Sequence, residues 1–548
     1  MTKKNIGKIS MIGLGIAFLT LSCTKLDEKV YSDVTADSFF KTNDEFIASL
    51  GQAYANFGGI GNHSNLWSIQ ELTSDELVIT TKGGDWYDGG VLQQLHLHSY
   101  TSDNDFFNNA WGFMYGGVNT CNRLISQFEG LKAAGNKDAI PLITELRGVR
   151  ALWYYWILDS FGNAPLVIDF KSSEPPAAST RKQIYDYVES ELSAIIADPS
   201  LPSVKDASTY GRMTKWAALA IRAKLYLNAE VYTGTPQWQK AADDAKAIID
   251  GGKYSLESKY SDNFAVNNTA SNENIFVYPY DKVFGQGFNW PMMTLHYASQ
   301  DVFKLTAQPW NGYQVVEEFY NSYIDPAQNP GPQGPVWSGL ANFDPKKPTI
   351  PNGTGTVDSR LSNFVVGPQI KPDGTQATDP GFEGATSNQP DPDGALLNFT
   401  PKINQLGPDG WRQGGARIGK YAYEIGGTNN MSNDFVILRY SDVLLIRAEA
   451  LWRISNGSAE ALALVNQVRD RAKVTPYTSL TAENLLAERG REMFAEMTRR
   501  QDMIRFGVFA NKYGFKTGPD GTTTFALFPI PKQQLDANKK LVQNPGYK

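Results

Sequence analysis

The chain has two cysteines and four histidines in 548 residues. So few thiols and imidazoles exclude a Cys-rich zinc module, a disulfide-stapled scaffold and a redox relay. Cationic charge is scarce as well: 51 Lys and Arg stand against 57 Asp and Glu, a formal net charge of −6. A protein that grips a phosphate backbone needs the opposite balance, so nucleic acid is not an expected partner. Long apolar runs are also missing. Residues 9–21 form an uncharged, mostly apolar stretch of about 13 positions, short of the roughly 20 that a membrane-spanning helix needs. Aromatic surface, by contrast, is abundant: 12 Trp, 26 Tyr and 28 Phe make up 12% of the chain. With 41% hydrophobic and 20% charged residues, the chain reads as globular rather than disordered or collagen-like. Its length alone allows three or four domains.

The start of the chain addresses the compartment. Lys3, Lys4 and Lys8 precede the apolar stretch, and Ser22 closes it before Cys23, the layout of a secretory signal over residues 1–22. Leu19, Leu21, Ser22 and Cys23 resemble a bacterial lipoprotein processing site, with Thr20 where Leu is usual. Cleavage would leave Cys23 first, as the lipidated residue of a polar tether over 23–36. The early acids Asp27 and Glu28 resemble surface-export signals of the Bacteroidetes phylum. Removing residues 1–22 takes away three positive charges and no negative one, leaving 48 against 57, or −9. Such a body repels an anionic membrane surface, so attachment would depend on acyl chains, each buried CH₂ contributing about 0.8 kcal/mol. With Cys23 acylated, Cys121 has no partner and reads as a small buried apolar residue.

Apolar residues recur at three- and four-residue steps over 38–57, 104–128, 141–161, 182–197, 214–232 and 238–250, and again over 441–454, 459–472 and 481–506. These segments predict amphipathic helices, the sixth ended by Gly251-Gly252. Between Pro279 and Pro408 lie 17 of the 29 prolines, with Gly-Pro, Pro-Asp-Gly and Asp-Pro-Asp-Gly turns that no long helix could contain. The expected organisation is an N-terminal helical scaffold over 37–264, a loop-rich insertion over 265–435 and a C-terminal helical part over 436–548. The helix pairs resemble tetratricopeptide hairpins, although no strict 34-residue period is visible. An irregular segment of that length favours a functional insertion over a connector.

The C-terminal third carries a family resemblance. Arg439-Tyr440-Ser441-Asp442-Val443-Leu444-Leu445-Ile446-Arg447-Ala448-Glu449-Ala450 resembles the signature of the SusD-like (RagB/SusD) outer-membrane nutrient-binding lipoproteins. Leu485 to Glu492, Arg499 to Gly507, Phe528-Pro529-Ile530-Pro531-Lys532 and Leu541 to Tyr547 resemble later parts of the same pattern. Arg147 to Pro165 and Gly211 to Tyr226 agree with it nearer the start. The resemblance implies a mainly α, tetratricopeptide-like scaffold on the cell surface, anchored in the outer membrane through its lipid. It also implies an oligosaccharide ligand and a SusC-like TonB-dependent transporter as partner, with no cofactor and no catalysis. Arg439, Glu449, Arg489, Glu492, Arg499 and Arg500 are read as structural ion pairs joining helices, because the guanidinium fork binds carboxylates bidentately.

A sugar ring has a relatively apolar C–H face and a hydroxyl rim, which calls for flat aromatics flanked by polar forks. Trp153, Trp156, Trp216 and Trp452 fall in helical apolar stripes, and Trp111 follows Phe107 at helical spacing, so all five are expected in the core. Gly83-Gly84-Asp85-Trp86-Tyr87-Asp88-Gly89-Gly90 differs: it sets a Trp-Tyr pair between two acids and two glycine pairs. Trp290 with Asn289, and Trp310 with Asn311, sit on turn-forming sequence in the insertion. Asp85, Trp86, Tyr87, Asp88, Asn289, Trp290, Trp310 and Asn311 are therefore the expected glycan contacts, with Trp337 and Trp411 as further members of the class.

Metal chemistry finds little support. His96 and His98 would share one strand face but lack a third ligand. Asp391-Pro392-Asp393-Gly394 reads as a turn, because the Glu that closes an EF-hand loop is absent. Two other readings stay open: a surface glycoside hydrolase using carboxylates such as Asp85 and Asp88, and a helical-repeat adaptor that binds peptide. No nucleophile elbow or zinc-hydrolase motif supports other hydrolysis.

Overall fold

In the computed structural model, residues 43–172, 174–324, 358–381 and 393–547 are described. Two compact units are distinguished, Met1–Ala48 and Ser49–Lys548, and the helical array, the strand pairs and the inserted loops all belong to the second. Cys23 and Trp337 lie outside the described residues, as does Asp391.

The periodic segments become long helices: Asp105–Ala133, Ala139–Phe161, Arg181–Ala197, Lys215–Leu227 and Trp238–Gly251, each packed on the next. Their ends follow local chemistry. The Asn104 side chain accepts from the Phe106 N–H, Thr180 and Gln183 form a reciprocal capping box, and Gly252 closes the last helix at φ 60. Every residue from Val149 to Phe161 is buried, which makes that helix the centre of the array rather than an amphipathic face of it. Gly117 permits its close approach to the preceding helix, since a Cβ there would lie 2.2 Å from the Trp153 indole.

The array resumes after the insertion. Tyr440–Ile454 packs on Trp238–Gly251, and Ala459–Arg471 packs on Tyr440–Ile454. Distant parts of the sequence thus form one mainly α, tetratricopeptide-like scaffold. Two expected helices are interrupted. The 214–232 segment breaks at Asn228, between Lys215–Leu227 and Ala229–Thr233. The 481–506 segment splits into Ala482–Met493 and Arg499–Arg505, because Ala495 and Met497 take φ 58 and 56 and donate their N–H groups to Glu76 and Glu71.

Two antiparallel strand pairs tie the proline-rich region to the helices. Leu77–Ile79 pairs with Tyr313–Val315, and Asn274–Tyr278 pairs with Phe435–Arg439. The second pairing delivers Arg439, fully buried, to three carboxylates: Glu273 at 2.7 Å, Glu492 at 2.6 Å and Glu496 at 2.8 Å. Arg489 meets Asp502 at 2.7 Å, Arg505 meets Glu449 at 2.7 Å, Arg499 meets Asp75 at 2.6 Å and Arg500 meets Asp159 at 3.4 Å. Burial alone would raise the Glu449 carboxyl, but Arg505, Arg453 and Arg489 hold it down to about 2. The arginine motifs are structural ion pairs, as their residue types imply. Cys121 is buried, and burial pushes its thiol up to about 12.

Candidate functional site: an aromatic ledge on two loops

The strand pair Leu77–Ile79 with Tyr313–Val315 brings residues 79 and 313 opposite one another. The loop that leaves the first strand and the loop that precedes the second therefore meet. The first is fixed by Thr81 and Gly83, whose N–H groups donate to Leu406 O and Pro408 O at 2.8 Å each. It turns tightly, with reciprocal backbone bonds between Lys82 and Asp85, and runs through φ 60 at Trp86 and φ 42 at Asp88. Gln93 donates to the Trp86 carbonyl at 3.2 Å, which holds that unusual backbone in place. The second loop is clamped to the Trp290–Thr294 helix and its end. Trp310, Asn311 and Gly312 donate in turn to Met292 O, Leu295 O and Met293 O at 2.7, 2.9 and 3.0 Å.

The two loops are joined by one side chain. The Trp86 indole N–H donates to Trp310 O at 2.5 Å, and the ring lies over Gly312, where a Cβ would stand only 2.4 Å from it. Tyr313 meets the same ring edge-on at a centroid distance of 6.1 Å. The Trp310 ring is 36% exposed and meets His63 edge-on at 5.3 Å. Tyr87, 58% exposed, stands beside Trp86. Asp85 accepts from the Tyr297 hydroxyl. Burial raises the Asp85 carboxyl above its ordinary value, while that hydrogen bond opposes the rise. Trp86 and the Trp310 backbone, more than 200 residues apart in sequence, thus meet, with Tyr87 next to Trp86 and with Asp85 and Asp88 on the same turn; these exposed and half-buried aromatics form the candidate ledge.

Two expected contacts are overturned. Trp290 is 1% exposed and sits in the core, its ring 4.7 Å from Trp67, 5.2 Å from Phe288 and 5.3 Å from Tyr421. Asn311 is fully buried, donating to Arg412 O at 3.0 Å and accepting from Arg417 at 2.8 Å. Both are scaffold supporting the second loop. Asn289, half-buried, accepts from Met292 and Met293 through its backbone carbonyl and opens the Trp290–Thr294 helix. Of the tryptophans expected in the core, Trp111, Trp153 and Trp156 are buried, whereas Trp216 and Trp452 are half-buried on helix surfaces. Trp411 is half-buried, with the Lys402 ammonium 5.9 Å from its ring centroid.

His96 and His98 do not share a strand face. His96 ends the Val91–His96 helix and His98 comes two residues later at φ 51. His98 is held between Asp520 at 2.7 Å and Thr73 O at 2.9 Å, a satisfied buried pair rather than a metal site. Among the described residues no group of three or more His, Cys, Asp or Glu could hold a metal ion. Among them, too, no helix is long and apolar enough to cross a membrane. His63, Tyr297, Gly312 and Tyr313 support Trp86, Trp310 and Asp85 and were not expected. The polar run Asn62-His63-Ser64-Asn65 ahead of a helix was the only sequence signal for the first.

A mainly helical, tetratricopeptide-like scaffold with exposed aromatics on two loops is the fold in which the candidate site sits. The chain belongs to the SusD family: residues 272–547 match the model described by that name, and residues 26–227 match one described as starch-binding associating with outer membrane. The chain is 27% identical over 522 residues to the starch-binding protein SusD of Bacteroides thetaiotaomicron, covering 90% of this chain and 87% of that one. It is 25% identical over 561 residues to SusD-like protein P2 of Formosa agariphila, covering 97% and 98%. Among solved structures, a laminarin binding SusD-like protein superposes with a TM-score of 0.68 at 20% identity, over 93% of this chain and all of that one. Surface glycan-binding protein A from Bacteroides thetaiotaomicron in complex with laminarihexaose gives 0.62 at 20%, over 92% and 99%. At these identities the structures speak for the fold.

Proposed function

We propose that the protein is a cell-surface lipoprotein that captures oligosaccharide or polysaccharide on the Trp86–Tyr87–Trp310 ledge and passes it to a SusC-like TonB-dependent transporter. The observation that carries the reading is the Trp86–Trp310 junction. The half-buried Trp86 indole is fixed by a hydrogen bond to the backbone of Trp310, whose own ring is exposed, and by a glycine seat. Preset flat faces suit sugar rings because no side-chain ordering has to accompany binding. Relatives described as a starch-binding protein and a laminarin binding protein support the same class of ligand. Attachment to the outer membrane through an acylated Cys23 is part of the proposal.

Binding without cleavage is favoured over hydrolysis. Asp85 is engaged by Tyr297, whereas a glycosidase needs two carboxyl groups facing one scissile bond with complementary proton roles. The test is isothermal titration with a panel of soluble polysaccharides, with product analysis alongside. Heat of binding without new reducing ends is expected. Cleavage products would contradict the reading, and silence with every glycan together with peptide binding would favour an adaptor.

A further inference from the structure

The Asp88 carboxylate stands exposed beside Tyr87 and, among the described residues, makes no hydrogen bond and no ion pair. Asp85 is a second acid on the same turn, and Lys82, the cation nearest in sequence, is 1% exposed and donates to Thr80 O at 3.1 Å. His63, which faces both Asp88 and Trp310, is held below its ordinary value by burial, so it offers the rim no positive charge at neutral pH. The turn that carries Tyr87 and Asp88 is therefore acceptor-rich and negative.

We infer that the ledge selects uncharged glycans and rejects those bearing uronate or sulfate groups, with Asp88 as the specificity-determining residue. The inference rests on the glycan-binding reading and narrows it. An ionised carboxylate only accepts hydrogen bonds, so it needs donors from the ligand. The hydroxyl groups of a neutral sugar supply them, and such charge-assisted bonds are short and strong. A uronate or sulfate at that position is itself only an acceptor. It forfeits the bond and meets a like charge, which is specificity by exclusion as well as by attraction.

The experiment titrates the full chain with neutral α-glucan, β-glucan and xylan and with polygalacturonate, alginate and a sulfated galactan, each at low and at moderate salt. The variants Asp88→Asn and Trp86→Ala are carried in parallel. The expected result is binding of at least one neutral polymer with little salt dependence, and affinity for every anionic polymer at least about tenfold weaker. In Asp88→Asn that gap narrows severalfold, because an amide both donates and accepts. An anionic polymer bound as tightly as the best neutral one would overturn the inference. So would an unchanged gap in Asp88→Asn. If that anionic binding is lost in Trp86→Ala, the ledge still binds glycan and only its charge selectivity is refuted; if no polymer of either kind binds, the glycan-binding reading itself falls and the inference falls with it.

Discussion

Gly312→Ala tests the ledge through a residue that a ligand need not touch. A Cβ at this position would lie 2.4, 2.7 and 2.7 Å from three atoms of the Trp86 indole. Carbon atoms at rest are about 3.5–4.0 Å apart, so the ring must move outward by about 1 Å. The backbone itself accepts alanine, because Gly312 is not among the glycines in the left-handed region. The ring is only half-buried, so it has somewhere to go. That movement opens the 2.5 Å bond to Trp310 O and unlocks the platform. Losing the preset stacking geometry should weaken glycan binding by about 1–2 kcal/mol, roughly 5- to 30-fold. Thermal stability should stay within a few degrees of wild type. The assay is calorimetric titration with a bound polysaccharide, with differential scanning calorimetry of the free protein. In a Trp86→Ala background the substitution should have no further effect on affinity, since the two act as one unit. Wild-type affinity in Gly312→Ala, or additive losses in the double variant, would refute the locked platform.

Other parts of the molecule make their own predictions. Trp290→Ala should destabilise the protein by about 3–5 kcal/mol in denaturant unfolding, as a core truncation does; a selective loss of glycan affinity at unchanged stability would return Trp290 to the ledge. Glu71 and Glu76 are buried side by side, each with one oxygen bound to the backbone of the loop between the arginine-rich helices. Burial raises the Glu71 carboxyl to about 7, and burial with the facing Glu71 raises Glu76 well above its ordinary value, although Lys420 and Arg499 oppose these shifts. An acid whose pKa is raised on folding loses stability as pH rises from its unfolded value through its folded one, here from about 4.5 through 7 and beyond. Glu76→Gln, which mimics the protonated acid, should therefore gain in melting temperature relative to wild type between pH 5 and pH 8.5, and parallel profiles would contradict the raised carboxyls. Cys23→Ala should move the protein from the membrane fraction to the soluble one; continued membrane fractionation would count against the lipid anchor.

The helical scaffold is legible because its signal is local. Leu142, Leu146, Val149, Leu152 and Trp153 repeat at helical spacing, and Gly251-Gly252 ends a helix in a way that needs no tertiary partner. The family motifs are legible for the opposite reason, since arginines and carboxylates in fixed order leave few roles other than buried ion pairs. Trp86 and Trp310 stand out because glycines and turn residues surround them. Trp290 misleads on the same grounds, because its neighbours Gly287 and Pro291 also read as a turn. Its burial is decided by Trp67, Tyr421 and Phe435, which lie more than 100 residues away in sequence. Asn311 misleads likewise, because its partners Arg412 and Arg417 reach it only across the fold. His96 and His98 alternate as a strand would, but Gly89-Gly90 starts a short helix that rotates them apart. The split near residue 495 depends on Glu71 and Glu76, more than 400 residues earlier in the chain.

Whether the ledge built on Trp86 holds glycan is reached directly by one comparison: isothermal titration of wild type and Trp86→Ala with the same soluble polysaccharide, each protein's melting temperature being recorded beside it. At least a tenfold loss of affinity with a melting temperature within a few degrees of wild type is predicted, because the ring is half-buried and not a core residue. Equal affinity in the two proteins would contradict it.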